Sequence, residues 1–290
     1  MARTFRRIAV LVLLSVVSLP GLGAAQSQAS PAQDKSQSPT KEWVLVWSDE
    51  FNAANGSAVD STKWVFDIGA DKWGNQELEY YTDRPENSRI EDGNLVIVAR
   101  AEKYKGTAEA TKDYTSARIK TAGKFSRTYG RFEARIKIPH GQGLWPAFWM
   151  LGDNIDKVGW PACGEIDIME NIGKETFVNH GSIHGPGYTG GDGIEANTAL
   201  PGGKKLSDDF HIYAAEWEAD EVRFYLDDLL YATQTRASLK PAQKWVFDHP
   251  FFLILNVAVG GDWPGNPDAT TVFPQTMLVD YVRVYARPGE

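Results

Sequence analysis

Hydrophobic residues recur at every second position over several short stretches of this chain, and that period predicts strands. The clearest stretch is residues 131–138. There Phe132, Ala134, Ile136 and Ile138 share one face, and Arg131, Glu133, Arg135 and Lys137 share the other. Residues 43–47, 94–100, 165–169, 221–226, 251–257 and 278–285 are the other clear candidates, with partial alternation in the last. Gly, Pro, Asn and Asp punctuate these runs. Residues 218–221 (Glu-Ala-Asp-Glu) lie between two runs as a hairpin turn. No long stretch keeps a helical period, and helical turns are expected only near residues 60–64 and 241–245. The sequence shows no internal repeat. Many short strands separated by turn residues predict an all-β fold, an antiparallel β-sandwich of the jelly-roll kind.

The N-terminus follows a different pattern. Arg3, Arg6 and Arg7 precede an apolar run over residues 8–19, which Pro20 and Gly21 end, and small residues reach Ala25. The run is shorter than the roughly 20 residues a spanning helix needs, so residues 1–25 read as a cleaved secretory signal rather than an anchor. Residues 26–40 are rich in Gln, Ser, Ala and Pro and read as a flexible linker. Residues 41–288 then form one domain, as a sandwich of that length can. Loss of the three leader arginines takes the formal charge from −8 to −11. An acidic surface argues against nucleic acid or an anionic membrane as partner. The single cysteine, Cys163, cannot form an internal disulfide and reads as a small buried residue. Ten tryptophans are many for this length, and flat apolar rings stack on sugars as well as filling cores.

Candidate chemistry is concentrated in Gly164–Glu165–Ile166–Asp167–Ile168–Met169–Glu170–Asn171. Apolar Ile166 and Ile168 give the strand a core face, so Glu165 and Asp167 share the opposite one. Strict alternation would turn Glu170 inward. A β-bulge at Ile168 or Met169 would bring it back, because one extra residue flips everything after it. The two outer carboxyls could then converge to about 5–5.5 Å, the spacing of a retaining glycosidase. In that chemistry one carboxylate attacks the anomeric carbon and the other protonates the leaving oxygen. Taken alone, the E-x-D-x-x-E string fits a solvated acidic strand face equally well.

Longer motifs separate the two readings. The segment from Trp160 to Glu170 closely resembles the signature of glycoside hydrolase family 16, in its laminarinase branch. The same holds, in chain order, for the segments starting at Trp47 (WSDEF), Trp73 (WGNQELEYYT), Gly143 (GLWPAFWML), Asn256 (NVAVGGDWPG) and Val279 (VDYVRVY). The resemblance covers essentially residues 43–285. It implies a concanavalin A-like jelly roll with a substrate cleft on its concave face. It implies an endo-β-1,3-glucanase acting by retaining double displacement, with Glu165 as nucleophile, Glu170 as acid/base and Asp167 assisting. It suggests substrate contacts from Trp145, Trp149, Trp263, Asn75, Glu77 and His184, and more weakly Arg84. No cofactor is expected for catalysis. A structural calcium ion would fall to Glu50, the carbonyl of Gly93 and Asp280.

The expected product is thus a secreted monomer acting on β-glucan, with mixed β-1,3/1,4 linkages as a side activity. Two alternatives stand beside it. The same scaffold could serve galactans or xyloglucan, or the chain could be a lectin-like module that binds glucan without cutting it.

Overall fold

The computed structural model describes residues 42–107 and 111–289, so the predicted signal and linker segments lie outside the described residues. Among the described residues seventeen strands follow one another. They are β1 (Val44–Asp49), β2 (Val65–Asp67), β3 (Glu79–Tyr81), β4 (Ser88–Glu91), β5 (Asn94–Tyr104) and β6 (Lys112–Ser116). Next come β7 (Arg118–Lys120), β8 (Gly130–Lys137), β9 (Leu144–Gly152), β10 (Glu165–Glu170), β11 (Val178–His184) and β12 (Ile194–Ala199). The last are β13 (His211–Glu218), β14 (Glu221–Leu226), β15 (Leu229–Thr235), β16 (Phe251–Val259) and β17 (Gln275–Ala286).

These form two sheets. The first runs β15-β14-β13-β8-β17-β5-β6-β3, with β1 beside β17 and β4 beside β5. The second runs β12-β11-β10-β9-β16-β7-β2. Pairing is antiparallel except between β3 and β6. The jelly-roll sandwich read from the sequence is thus the fold. Residues 218–221 close the β13–β14 hairpin as expected, with Glu218 opposite Glu221. The segments at 60–64 and 241–245 are turns and do not extend into helices.

Alternation explains how the sheets stack. Phe132, Ala134 and Ile136 of β8, Tyr213, Ala215 and Trp217 of β13, and Leu253, Leu255 and Val257 of β16 all lie in one buried cluster. Ile166, Ile168 and Met169 of β10 join it from the second sheet. The opposite parity of β16 carries Phe252 and Ile254, which pack with Leu151 and the buried Cys163 in a smaller cluster, followed by Asn256. The second sheet therefore has a mainly apolar inner face, where the buried amide of Asn179 reaches the Tyr231 hydroxyl of β15, and an open face that turns polar and aromatic toward its centre. Among the described residues no helix is long and apolar enough to cross a membrane.

Phe132 is fully buried between the sheets. Truncation to alanine removes its ring from both layers and is expected to destabilise the fold by about 3–5 kcal/mol. A denaturant titration reads this directly, and a loss below about 1 kcal/mol would show that the site collapses around the gap.

Candidate active site

One irregularity in β10 builds the site. Against β9, Glu165, Ile166 and Asp167 face Leu151, Met150 and Trp149, then Met169 and Glu170 face Phe148 and Ala147. Ile168 is passed over, and the register against β11 also slips between Asp167 and Glu170. This is the bulge expected from the spacing. Ile168 and Met169 both point into the core, fully buried, so Glu170 returns to the open face beside Asp167. Across the ladder on β11 the three acids meet His184, Ser182 and His180.

Each carboxyl has its own partners. Glu165 Oε2 accepts a bond of 2.7 Å from the indole N–H of Trp160. Glu170 Oε1 accepts one of 2.9 Å from Trp145. Asp167 Oδ2 accepts from Ser182 Oγ at 2.6 Å and from His184 Nε2 at 3.1 Å. Ligating atoms of Glu165, Asp167 and His184 all lie within 4.8 Å of one another. Gly193 backs the imidazole so closely that an added Cβ would sit 2.3 Å from His184 Cε1, so only glycine fits there.

Crowding sets the proton affinities. Burial, then the charge of Asp167, pushes Glu165 up to about 8. Burial, then the charges of Asp167 and Glu165, holds Glu170 well above the usual carboxylate range. Burial disfavours the imidazolium of His184, but its bond to Asp167 and the charges of all three acids outweigh that and raise it to about 9. The site therefore retains protons at neutral pH. It pairs acids that can give or share a proton with a cation that stabilises the ionised form.

The aromatic candidates lie on this same face. Trp149 stands across from Asp167 on β9, its N–H bonded to Asn256 Oδ1 at 2.7 Å. Trp263, 37% exposed, meets Trp145 edge to face at 5.4 Å and the His180 ring at 5.0 Å. Asn75 is exposed and donates to Glu77, which is buried and also bonded by Tyr81. His184, suggested as a substrate contact, has its imidazole held against Asp167 and Ser182. Arg84 is engaged elsewhere: its guanidinium pairs with Glu102, bonds Asn87 and Thr115 and lies over Tyr104.

The residues suggested for calcium do not fit the ion as they stand. Arg283 bonds both oxygens of Glu50 at 3.0 and 2.7 Å, and Arg135 bonds Asp280 at 2.7 Å. Guanidinium groups already meet these charges, and no chemistry is drawn through a metal there.

Sequence reasoning passed over Ser182 and His180, and it treated Trp160 only as a neighbour of the acids. The signal for the first two was the polar alternation His180, Ser182, His184. Its meaning depended on knowing that β11 pairs with β10. Trp160 reaches Glu165 from outside the strand, so no period marks it.

A β-sandwich that displays two glutamates and an intervening aspartate among indole rings is built as a glycoside hydrolase. The family model described as Glycosyl hydrolases family 16 matches residues 72–283, and the chain belongs to that family. It is 42% identical over 302 residues to a "Beta-glucanase" of Rhodothermus marinus, covering 98% of this chain and 94% of that protein. It is 39% identical over 254 residues to a "Keratan-sulfate endo-1,4-beta-galactosidase" of Sphingobacterium multivorum, covering 86% of this chain but only 56% of that protein. Among solved structures, the catalytic domain of an endo-1,3-beta-glucanase (laminarinase) from Thermotoga petrophila matches with a TM-score of 0.81 and 52% identity, covering 86% of this chain and 100% of that domain.

Two outcomes follow from the proton affinities. In His184→Gln, Glu165 and Glu170 lose a nearby positive charge, so both should ionise at higher pH than in the wild type. Titration of carbon-13-labelled glutamate carboxyls reads this, and unmoved curves would mean that the imidazole is neutral in the site. Stability should fall as pH rises. Glu165 and His184 bind protons more tightly folded than unfolded, the first across 4.5 to about 8 and the second across 6.5 to about 9. Melting temperatures measured from about pH 5 to about pH 9 should decline through those windows; a rise would contradict both assignments.

Proposed function

We propose that this protein is a secreted endo-β-1,3-glucanase that hydrolyses internal glucosidic bonds with retention of configuration. The observation that carries the reading is the bulge in β10, which turns Glu165 and Glu170 onto one face with Asp167 between them. The laminarinase likeness at 52% identity supports the substrate class, and the apolar leader supports export.

Glu165 is the nucleophile. It attacks the anomeric carbon as the glycosidic bond breaks, and Glu170 gives its proton to the departing oxygen. The Trp160 N–H and the His184 imidazolium favour the ionised form of Glu165 that attack requires. Asp167, fixed by Ser182 and His184, orients Glu165 and shares a proton with it, which relieves repulsion while the cleft is empty. Glu170, now ionised, then takes a proton from water, and the hydroxide carbon–oxygen bond replaces the bond to Glu165. Trp145, Trp149 and Trp263 supply faces for sugar rings, and Asn75 supplies a side chain for hydroxyls. Mixed β-1,3/1,4-glucan is the expected secondary substrate, and the enzyme is expected to work as a monomer.

Laminarin hydrolysis followed by proton NMR should show the β-anomer first. Initial release of the α-anomer would replace double displacement with inversion. Glu165→Gln should bind laminari-oligosaccharides but lose several orders of magnitude in rate. Glu170→Ala should lose far more activity on glucan than on an aryl glucoside whose leaving group needs no proton; equal losses would reassign its role. Glucan binding without hydrolysis by the wild type would make the protein a binding module. Activity confined to galactans, the substrate class in the name of the Sphingobacterium relative, would change the substrate.

A further inference from the structure

A second carboxyl pair lies beneath the open face, apart from the triad. Glu79 is fully buried and Glu77 nearly so. Oε2 of Glu79 accepts the backbone N–H of Val259 at 2.6 Å, whereas its Oε1 is buried with no donor facing it. The Glu79 carboxyl is in hydrogen-bonding contact with that of Glu77. Both oxygens of Glu77 are already acceptors, from Asn75 Nδ2 at 3.3 Å and from the Tyr81 hydroxyl at 3.0 Å. A buried oxygen beside an acceptor can be satisfied only by carrying the proton itself.

The bonds that Glu77 anchors run in one direction, set at the far end by the Trp149 N–H, which can only donate. Glu79 donates to Glu77, as does Tyr81. Tyr81 accepts from Asn256 Nδ2 at 3.2 Å. Asn256 thereby turns its carbonyl oxygen to the indole N–H of Trp149 at 2.7 Å. Arg118 of β7 completes the setting. Its guanidinium lies 5.1 Å from the Trp73 ring centre and 4.8 Å from that of Trp149, and it pairs with Asp67 of β2, which Lys120 also bonds.

We propose that Glu79 is a positioning residue: held protonated, it fixes the indole plane of Trp149 through Glu77, Tyr81 and Asn256, and so tunes how tightly sugar is held. The inference rests on the glucanase reading for its substrate. Ionisation of Glu79 would place two carboxylates side by side without a shared proton. The charge of Arg118 favours ionised Glu77, but its guanidinium is paired with Asp67. Repulsion between the two carboxylates would push Glu77 off the Tyr81 hydroxyl, and Trp149 would lose its fixed plane. Burial, then the charge of Glu77, sets that ionisation well above the usual carboxylate range. Sugar binding should therefore weaken on the alkaline side while the chemical step follows the triad.

Glutamine at position 79 reproduces the protonated acid: its oxygen can accept from Val259 and its amide can donate to Glu77. Laminarin kinetics from about pH 5.5 to the alkaline limit of activity should thus give Glu79→Gln the wild-type KM at the acid end and a smaller rise in KM than the wild type at the alkaline end. Tyr81→Phe, which cuts the chain, should raise KM about fivefold with little change in kcat. Wild-type KM in Tyr81→Phe throughout that range, or a KM–pH curve of Glu79→Gln identical to wild type, would overturn the proposal. Near-ultraviolet circular dichroism without sugar keeps the test independent of substrate. Tyr81→Phe should weaken the tryptophan bands, and an unchanged spectrum would sink the inference even if the true substrate were another polysaccharide. A wild type that fails to act on laminarin while those bands weaken would instead remove the glucanase reading and leave the positioning role standing.

Discussion

One extra residue in a six-residue strand is the constraint on which the site depends. Ile168 and Met169 both enter the core, and that double burial reverses the parity of everything after them. Without it, Glu170 would be driven into a layer of Phe and Ile side chains, where a carboxyl has no partner. The apolar packing of the sandwich therefore does more than hold the sheets together. It holds the bulge in place, since either apolar side chain would have to leave the core for the strand to straighten. The catalytic face inherits its geometry from the face opposite.

The electrostatics follow from that geometry. Three acids confined to one short strand, with burial on one side, repel one another, and Glu165 and Glu170 retain protons. The β11 row answers with a hydroxyl and an imidazolium at Asp167, and indole N–H groups answer at Glu165 and Glu170. Every donor here is neutral or delocalised. A lysine or arginine in the same place would favour the ionised carboxylates and leave no acid to deliver a proton.

Much of this was legible in the linear sequence. Alternation over residues 131–138 and the acid spacing over 165–170 each mark a local rule, and the bulge follows from arithmetic on neighbours. What stayed hidden depends on distant pairing. Ser182 is 15 residues from Asp167, and the partners Glu79 and Val259 lie 180 residues apart. Arg84 sits just past an aromatic loop motif and reads as a substrate contact, but the β5–β6 edge supplies Glu102 and Thr115, which hold it. Glu77 likewise reads as a sugar ligand, yet its oxygens face Asn75 and Tyr81.

The acids of the site come from a single strand, not from several loops. Their mutual placement is therefore set by six consecutive residues inside a sheet, while the indole rings and polar side chains proposed to meet the polymer lie on separate segments. Selection can then reshape which polysaccharide is gripped, by altering those outlying segments, without disturbing the machinery that breaks the bond. A scaffold partitioned in this way is free to diversify in diet while its reaction stays the same.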